Sequence, residues 1–578
     1  MATASASLAA CGGGADLNAP TGASPSTAKP VNPSEAAASR FLGQAAWGGN
    51  PTDIDQVIGW GQEAWLDQQM DMPIEQTFVQ WLVDRGYGIK PDKNPDGTLT
   101  NANAGGAGLM PGLWRRLMSN PDLVRQRVAL ALSEFFVCSA DKLITGMGYN
   151  QFAVGYYWDI LEEHAFGNFR DLLEAVTLSP MMGIYLNTKG NQKADGKGRV
   201  PDQNYAREVM QLFTIGLIKL NPDGTEIKDA HGNPIETYTN EDVEGLSKVF
   251  TGWSFDNKTP FDIREDFWQN CVYLSRPMGL TSTLHSPEAK TFLGITIPSN
   301  TNGTDSLKTA LTRLFNHANT GPFFAKQMIQ RLVTSNPSPA YVARVATKFA
   351  NNGRGVRGDL KAVFKAILLD PEARQLDAGG THSSFGKLRE PMVRFIQWAR
   401  TFSAVSVKDQ TIAPPNEDVY NKEWVISSKI IHTESELGQA PMYAPSVFNF
   451  FRPGYTPPNS DIANQSMLAP EFQILTEPAI VGYVNFIHKT VNNGESWGAK
   501  PAGYLKADYS RYQAMAINPI ELLNTLTLYL APHAFSAAQI NTMAQMLASI
   551  PNDEVGLKKR VYTAVLLIMC IPDYLIQR

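Results

Sequence analysis

Hydrophobic residues recur three and four positions apart through most of the chain from residue 39 onward. In the segment 122–137, Val124, Val128, Leu132 and Phe135 keep this spacing, and charged residues fall between them. Because an α-helix completes a turn in 3.6 residues, the spacing places these apolar residues on one helical face. The same period predicts further helices over 53–70, 152–164, 169–179, 204–217, 242–251, 304–315, 322–332, 340–350, 358–369, 391–402, 470–490, 519–529, 536–549 and 553–569.

Two of these helices begin with recognisable capping signals. Thr239 and Asp242 have the arrangement of a capping box, in which the Asp242 carboxylate reaches back to the Thr239 amide. Ser536 stands before Ala537, Ala538 and Gln539 and is another candidate N-cap.

Strand signals are local and are concentrated in residues 220–238. Two turn sequences, PDG at 222–224 and HGNP at 231–234, separate short runs of Thr, Ile and Glu. This pattern predicts a small β-hairpin or ribbon between two helices. We therefore expect a mainly α fold: a large multi-helix domain, or two closely packed helical halves, with a small β-hairpin insertion. The weakest seam lies near residues 378–380, an Ala-Gly-Gly sequence.

The first 38 residues are rich in Ala, Ser, Gly and Pro and contain no aromatic residue. Such a segment buries too little apolar surface to offset its ordering entropy, so residues 1–38 are predicted to be a disordered leader before a helical domain at 39–578. The sequence LAAC ending at Cys11 is similar to a bacterial lipobox, with Cys11 as the lipidated residue of an exported protein. That protein would be periplasmic, anchored to the outer membrane or secreted. A basic start and a long apolar run are missing, so a chance cysteine in a low-complexity segment is the alternative.

Charge and cysteine content argue against several classes of protein. Fifty Lys and Arg against fifty-five Asp and Glu, without a basic block, argue against a nucleic-acid binder. The four cysteines are too few for a disulfide scaffold and share no short zinc-ligand spacing. The apolar run closest to a membrane span, at 561–571, is too short to cross a bilayer, so no transmembrane helix is expected.

The motifs of several large enzyme classes are absent. The chain has no P-loop, no G-x-G-x-x-G after a strand, no H-E-x-x-H, no G-x-S-x-G and no C-x-x-C-H. Nucleotide-dependent, zincin, α/β-hydrolase and covalent-haem chemistry therefore lack their usual support. No ligand spacing predicts a metal site, and the cofactor is unknown.

A polar stripe on one predicted helix is the main positive signal. Asn204, Glu208 and Gln211 stand at positions i, i+4 and i+7, with Arg207 adjoining, so they share one face. Carboxamides beside a carboxylate suit hydroxyl recognition or the positioning of a general base. A solvated face with an Arg–Glu contact is the alternative.

Three further polar residues lie upstream of the stripe. His164 closes a predicted helix, where the helix dipole favours its charged form, although a capping or packed histidine explains it as well. Asn187 and Asn191 stand at the start of a Gly-rich loop and are candidates for the same cleft.

Six ordered segments, in a span from about residue 39 to the C-terminus, resemble the bacterial family called domain of unknown function 1800. They read HAFGNFRDLLEAVTLSPMMGIYLN at 164–187, PDQNYAREVMQLFTIGL at 201–217, YTNEDVEGLSKVFTGW at 238–253, KTFLG at 290–294, GKLREPMVRFIQWAR at 386–400 and GQAPMYAPSVFNFFRPGY at 438–455.

The resemblance implies an exported, mainly helical protein, often encoded beside a second exported family, domain of unknown function 1501, which resembles sulfatases and phosphatases. It implies no established reaction. Two departures occur: the chain has DQN at 202–204 where the family reads Asn-Glu-Asn, and Gln211 where the family tends to have Glu. If that Glu is catalytic in relatives, Gln211 puts catalysis in doubt here.

Other residues in the family-like segments suggest binding chemistry. His285 and Lys290 are close enough in sequence to line one loop, with a plain surface loop as the alternative. Trp253 offers an aromatic face, and Asn449 offers an amide between aromatic residues. Aromatic faces beside amides bind sugar rings, although aromatic residues more often belong to the core. Glu390 precedes Pro391 at a predicted helix start, where interaction with the helix dipole is the favoured role.

Two functions follow. The first is an exported enzyme that acts on a glycan or other extracellular polymer by acid–base chemistry. Glu208 would be the general acid or base, Arg207 its charged partner, and His164 and His285 further catalytic candidates. The substrate contacts would come from Asn204, Gln211, Asn187, Asn191, Trp253 and Asn449.

The second function is a non-catalytic surface module that binds a polymer or docks with a partner, such as an exported protein resembling domain of unknown function 1501. A polar stripe open to a deep pocket favours the enzyme, whereas a fully hydrogen-bonded buried stripe favours the module.

Overall fold

The computed structural model describes residues 33–88, 106, 108–143, 150–257, 269–375, 384–406, 436–492 and 505–578. Cys11 and the predicted seam at 378–380 lie outside these ranges.

The described residues form a mainly α fold, as predicted. The helices are α1 Pro33–Ala45, α2 Pro51–Trp60, α3 Gln62–Asp71, α4 Phe78–Asp84, α5 Leu109–Ser119, α6 Leu123–Phe135, α7 Asn150–Glu163, α8 Phe169–Leu178, α9 Pro180–Tyr185, α10 Asn204–Gln211, α11 Asn240–Ser247, α12 Gln269–Leu274, α13 Gly303–Asn316, α14 Thr320–Leu332, α15 Pro339–Ala350, α16 Leu360–Leu368, α17 Pro371–Arg374, α18 Pro391–Thr401, α19 Asp461–Asn464, α20 Glu477–Val491, α21 Ser510–Met515, α22 Pro519–Leu530, α23 Ala537–Ala548, α24 Glu554–Cys570 and α25 Pro572–Leu575. Short 3₁₀ turns lie at Ala140–Leu143, Lys248–Phe250, Ser282–Leu284 and Pro470–Ile474.

The strands in the described part of the chain are two or three residues long and pair antiparallel, two by two. The pairs are β1 Trp253–Ser254 with β2 Gly279–Leu280, β3 Lys290–Phe292 with β4 Ile295–Ile297, β5 Lys387–Leu388 with β8 Ile576–Gln577, and β6 Val405–Ser406 with β7 Leu505–Lys506.

The ribbon predicted at 220–238 is present as an antiparallel arrangement held by main-chain hydrogen bonds. Lys219 N donates to Ile235 O, and Ile227 N donates to Lys219 O, both at 2.8 Å. Asp223 and Asp229 accept hydrogen bonds from amides of their own turns, as turn-forming aspartates commonly do.

Both predicted capping signals start helices. Asp242 Oδ2 accepts from Thr239 N at 2.8 Å, and Ser536 forms the equivalent capping box with Gln539. Helix α1 begins at Pro33, so residues 33–38, which composition assigns to the leader, are helical, and Ala36 and Ala38 are buried.

One hydrophobic core runs through the described residues and joins distant parts of the chain. On one side of it, Trp114 of α5 packs edge-on against Phe395 of α18, with ring centroids 5.5 Å apart. Elsewhere Phe324 of α14 contacts Phe169 of α8 in the same way, at 5.0 Å. These buried aromatic contacts join α5 to α18 and α8 to α14.

Candidate functional site

Helix α10 is fixed by its apolar face and by a polar contact at its start. The Tyr205 ring lies edge-on to Phe250 with centroids 4.8 Å apart, and its hydroxyl is 2.7 Å from Thr177 Oγ1. At the N-terminus, Asp202 Oδ1 accepts from Asn204 N at 2.8 Å. Burial of the Tyr205 face turns the predicted polar stripe outward.

Glu208 is the most buried member of the stripe. Its side chain is 9% exposed, and its Oε2 atom has no hydrogen-bond partner among the described residues. Burial raises the pKa of Glu208, and the charge of Arg207 opposes the rise. The protonated form is therefore favoured more than in an ordinary glutamate, and this suits a general acid.

Two tyrosines lie within the electrostatic reach of Glu208. Burial, chiefly, raises the pKa values of Tyr185 and Tyr238, and the negative charge of Glu208 raises them further. The Tyr238 hydroxyl also donates to Gln211 Oε1 at 3.2 Å. Two phenolic groups from outside α10, those of Tyr185 and Tyr238, therefore lie near the polar stripe.

Asn191 holds the Gly-rich loop before α10 in place by hydrogen bonds to Asp202. Its Oδ1 accepts from Asp202 N at 2.9 Å, and its Nδ2 lies 3.4 Å from the main-chain oxygens of Asp202 and Phe250. The main chain of the same loop pairs with residues 252–253, since Gly252 N donates to Asn191 O at 2.8 Å. The Asn191 carboxamide therefore positions the loop rather than facing a ligand.

Asn187 lies on the exposed edge of this loop. Its backbone has a φ of 64°, and its Nδ2 is 3.5 Å from Asp202 Oδ2. A left-handed conformation is uncommon outside glycine and is best tolerated by asparagine.

His285 is tied to the other side of residues 250–253. Its Nδ1 lies 2.9 Å from Thr251 O, so Nδ1 carries the proton and Nε2 is left as the acceptor. Burial lowers the pKa of His285, and the charge of Lys290 lowers it further. Lys290 Nζ donates to Ser286 O at 3.0 Å, so both side chains do lie against one loop.

We call the unit formed by α10, residues 187–203, residues 250–253 and residues 281–286 the α10 site. Within it, four buried side-chain atoms have no hydrogen-bond partner among the described residues: Glu208 Oε2, Thr188 Oγ1, Trp253 Nε1 and His285 Nε2. Buried polar atoms without partners are rare in native proteins, because each loses its hydration without replacement. These four atoms are open to hydrogen bonds from a ligand or ordered water, as are other buried atoms elsewhere in the described structure.

His164 lies apart from this unit. It stands in the turn between α7 and α8, whose neighbouring residues bond to the segment 358–360: Phe169 N donates to Gly358 O at 2.8 Å. No hydrogen bond or ion pair of the described residues connects His164 with α10. Burial lowers the pKa of His164, so the charged form expected from its place at a helix end is disfavoured.

Asn449 belongs to a loop that docks beside residues 139–140. Ala140 N donates to Met442 O at 2.8 Å, and Ser139 forms a bridge with Tyr443. Asn449 is 4% exposed, has a φ of 62°, and its Nδ2 has no partner among the described residues. It is buried rather than presented to a polymer.

A buried charge cluster is the feature that sequence reasoning missed. It comprises three acidic and three basic side chains, none more than 5% exposed: Glu134, Glu390, Glu471, Arg127, Arg331 and Lys387.

Within this cluster, Lys387 Nζ lies 2.9 Å from Glu471 Oε1. Glu390 makes no capping hydrogen bond to α18, and it instead accepts from the side chain of Gln439. The sequence contains one indication of this cluster: Lys387 and Glu390 stand three residues apart beside apolar segments. This placement indicates two charges in the interior.

The described residues contain no grouping of three or more His, Cys, Asp or Glu side chains suited to a metal ion. Nor does any helix among them have the length and apolarity needed to cross a membrane.

No curated protein and no solved structure matches the chain significantly. One family model matches residues 40–576, which is nearly the whole sequence. The chain therefore belongs to the family described as Protein of unknown function (DUF1800).

Proposed function

We propose that this protein is an exported enzyme that acts on a glycan or another hydroxyl-rich extracellular polymer, with Glu208 as general acid or base. The observation that carries the proposal is the buried, unpartnered Oε2 of Glu208 on an otherwise half-exposed helix face. A carboxyl group with a raised pKa and one free oxygen is suited to transferring a proton to or from a substrate oxygen.

The groups around Glu208 suit a polyhydroxylated substrate. Gln211 and Asn204 supply carboxamides on the same face, and Arg207 supplies a cation that balances a negative charge on Glu208. Trp253 Nε1 and His285 Nε2 are a further donor and acceptor without partners in the described structure. The half-exposed face favours a long substrate that lies along the surface over one that is enclosed.

The test measures release of reducing ends from a panel of purified bacterial cell-wall and extracellular polysaccharides. Glu208→Gln keeps the size and hydrogen-bonding capacity of the side chain but cannot ionise, so turnover should fall by about 10²-fold or more. Glu244→Gln, on the exposed face of α11, is the matched control and should retain full activity. Equal turnover by Glu208→Gln and the wild type contradicts the catalytic role.

A second function, a non-catalytic surface module, is supported by a different observation. Asn187 bonds to the Asp202 side chain and Asn191 to the Asp202 main chain, as members of a structural network do. Such a module would bind a polymer or an exported partner resembling domain of unknown function 1501. It predicts polymer or partner binding by the wild type with no turnover, and unchanged binding by Glu208→Gln.

A further inference from the structure

A cavity of the structure lies away from the α10 site. It has a volume of about 760 Å³ and opens between α1, the β5–β8 pair and the turn after α22. This volume is within the range of small-molecule sites, about 300–1,000 Å³. None of its lining residues belongs to the α10 site.

Basic side chains outnumber acidic ones in the lining. Arg40, Arg344, Arg389, Arg578 and His533 line the cavity, and Glu372 is the single acidic side chain among its lining residues.

The charge of Glu372 is already engaged within the protein. Its carboxylate accepts hydrogen bonds from the main chain and the hydroxyl of Ser338. Arg344, which lies 4.0 Å from Glu372, is paired mainly with Asp370, at 2.7 Å through two nitrogens. Arg344 is therefore neutralised within the protein, and the positive charge of the lining comes from Arg40, Arg389 and Arg578.

Arg389 is one of two buried cations in the lining. It is 8% exposed and makes no ion pair with a carboxylate in the described structure. One nitrogen donates to Leu530 O at 2.9 Å and lies 3.3 Å from Gln397 Oε1. Tyr574 donates to the same Gln397 oxygen at 3.0 Å and lies beneath the Arg389 guanidinium. These contacts fix the guanidinium in place without neutralising it.

Arg40 is held in a similar way by main-chain oxygens. It is 7% exposed and donates to Arg578 O at 2.9 Å and Ala373 O at 2.8 Å. Burial lowers the pKa of Arg40 to about 10. Burial also lowers the pKa of the neighbouring His533, and the charge of Arg40 lowers it further. Phe385 lies 5.6 Å from the Arg40 guanidinium and adds an aromatic surface to the cavity.

We infer that this cavity binds an anionic small molecule, whose phosphate or carboxylate group is held by Arg40 and Arg389 and whose apolar part packs on Phe385. Guanidinium groups bind such oxyanions through charge-assisted hydrogen bonds, and a fixed guanidinium loses little freedom on binding. The site is independent of the proposed chemistry at Glu208.

The test is calorimetric titration of the full chain with phenyl phosphate, benzoate, inorganic phosphate and the neutral benzyl alcohol. We expect phenyl phosphate or benzoate to bind and benzyl alcohol to bind at least tenfold more weakly. The stronger of the two aromatic anions identifies the headgroup class. Absence of binding by every anion at millimolar concentration, or equal binding of benzyl alcohol, overturns the inference.

Three variants locate the site. Arg389→Gln should weaken binding at least tenfold, since it removes a charged donor. Arg578→Glu reverses the charge of an exposed lining residue without disturbing the core, and it should also weaken binding. Arg354→Gln, an exposed arginine outside the cavity, is the control and should bind as the wild type does.

These variants also keep the two proposals separate. If Arg389→Gln does not fold, as judged by circular dichroism, Arg578→Glu decides. Unchanged affinity in a folded Arg389→Gln variant, or in Arg578→Glu when that variant decides, contradicts the inference. Glu208→Gln should bind the anions normally, so failure of one proposal leaves the other standing.

Discussion

The carboxyl groups of Glu134 and Glu390 lie within hydrogen-bonding reach of each other in the core, although α6 and α18 are far apart in sequence. Burial raises the pKa of Glu134 well above its ordinary value, and the charge of Glu390 raises it further. Arg331 and Lys387 oppose this rise without cancelling it, so Glu134 is protonated more readily than an ordinary glutamate.

This arrangement predicts how stability depends on pH. A carboxyl whose pKa is higher in the folded state than in the unfolded state binds more protons when folded, so its contribution to stability falls as pH rises above about 4.3. Glu134→Gln imitates the protonated form. Its melting temperature relative to that of the wild type should therefore increase steadily from pH 5 to pH 8 in thermal denaturation. A constant difference across this range, as expected for Glu244→Gln, contradicts the raised pKa of Glu134.

The pKa of Glu208 should respond to Arg207. Because the charge of Arg207 lowers the pKa of Glu208 against the effect of burial, Arg207→Gln should raise it. Carbon-13 NMR of glutamate-labelled protein, with Glu208→Gln to assign the resonance, measures the titration without requiring a substrate. Arg354→Gln is the control. If the midpoint stays the same or falls in Arg207→Gln, the electrostatic contact is not as described.

Removal of the Asn191 side chain should loosen the loop before α10. Asn191→Ala leaves Asp202 N and the main-chain oxygen of Phe250 without their side-chain partner, at a cost of about 1–2 kcal/mol in the free energy of unfolding. Limited trypsin digestion should cleave the exposed loop at Lys197 or Arg199 faster than in the wild type. Asn204→Ala is the control. The Asn204 side chain is half-exposed and makes no comparable hydrogen bonds, so this variant should be digested at the wild-type rate.

Replacing two helical glycines by alanine should change the stability of the protein in opposite directions. A Cβ atom at Gly245 of α11 would lie 1.7 Å from Thr291 O of β3, so Gly245→Ala forces α11 and β3 apart. We expect it to destabilise the protein by about 2 kcal/mol or more. At Gly43 of α1 no atom lies within 4 Å of the added Cβ, and Gly43→Ala should stabilise by about 0.4–1 kcal/mol. Chemical denaturation measures both, and equal effects contradict the close approach.

The lipobox-like sequence predicts a lipid at Cys11. In a bacterial host, the wild-type chain should be recovered with membranes and incorporate labelled palmitate, whereas Cys11→Ser should do neither. Cys570→Ser controls for loss of a thiol elsewhere. Palmitate labelling that persists in Cys11→Ser contradicts the assignment.

The helix predicted at 53–70 is divided at Gly61, and the helix predicted at 204–217 ends at Gln211. The sequence alone determined most of the other predicted helices, the ribbon at 220–238 and the capping boxes at Thr239 and Ser536. These features depend on local period and turn chemistry, which neighbouring residues in the chain specify. The polar stripe on α10 was also visible from its spacing, because one face of a helix is a property of the helix itself.

Only the tertiary structure decided which polar groups lie together and which are buried. It placed His164 away from α10 and turned the Asn191 carboxamide toward the main chain. It also drew Glu390 from its expected role at a helix start into the buried charge cluster. The arginine-lined cavity brings Arg40 to Arg389, which no local pattern connects. Burial and electrostatic pairing arise between segments that are distant in the chain, so packing alone determines the chemistry at these positions.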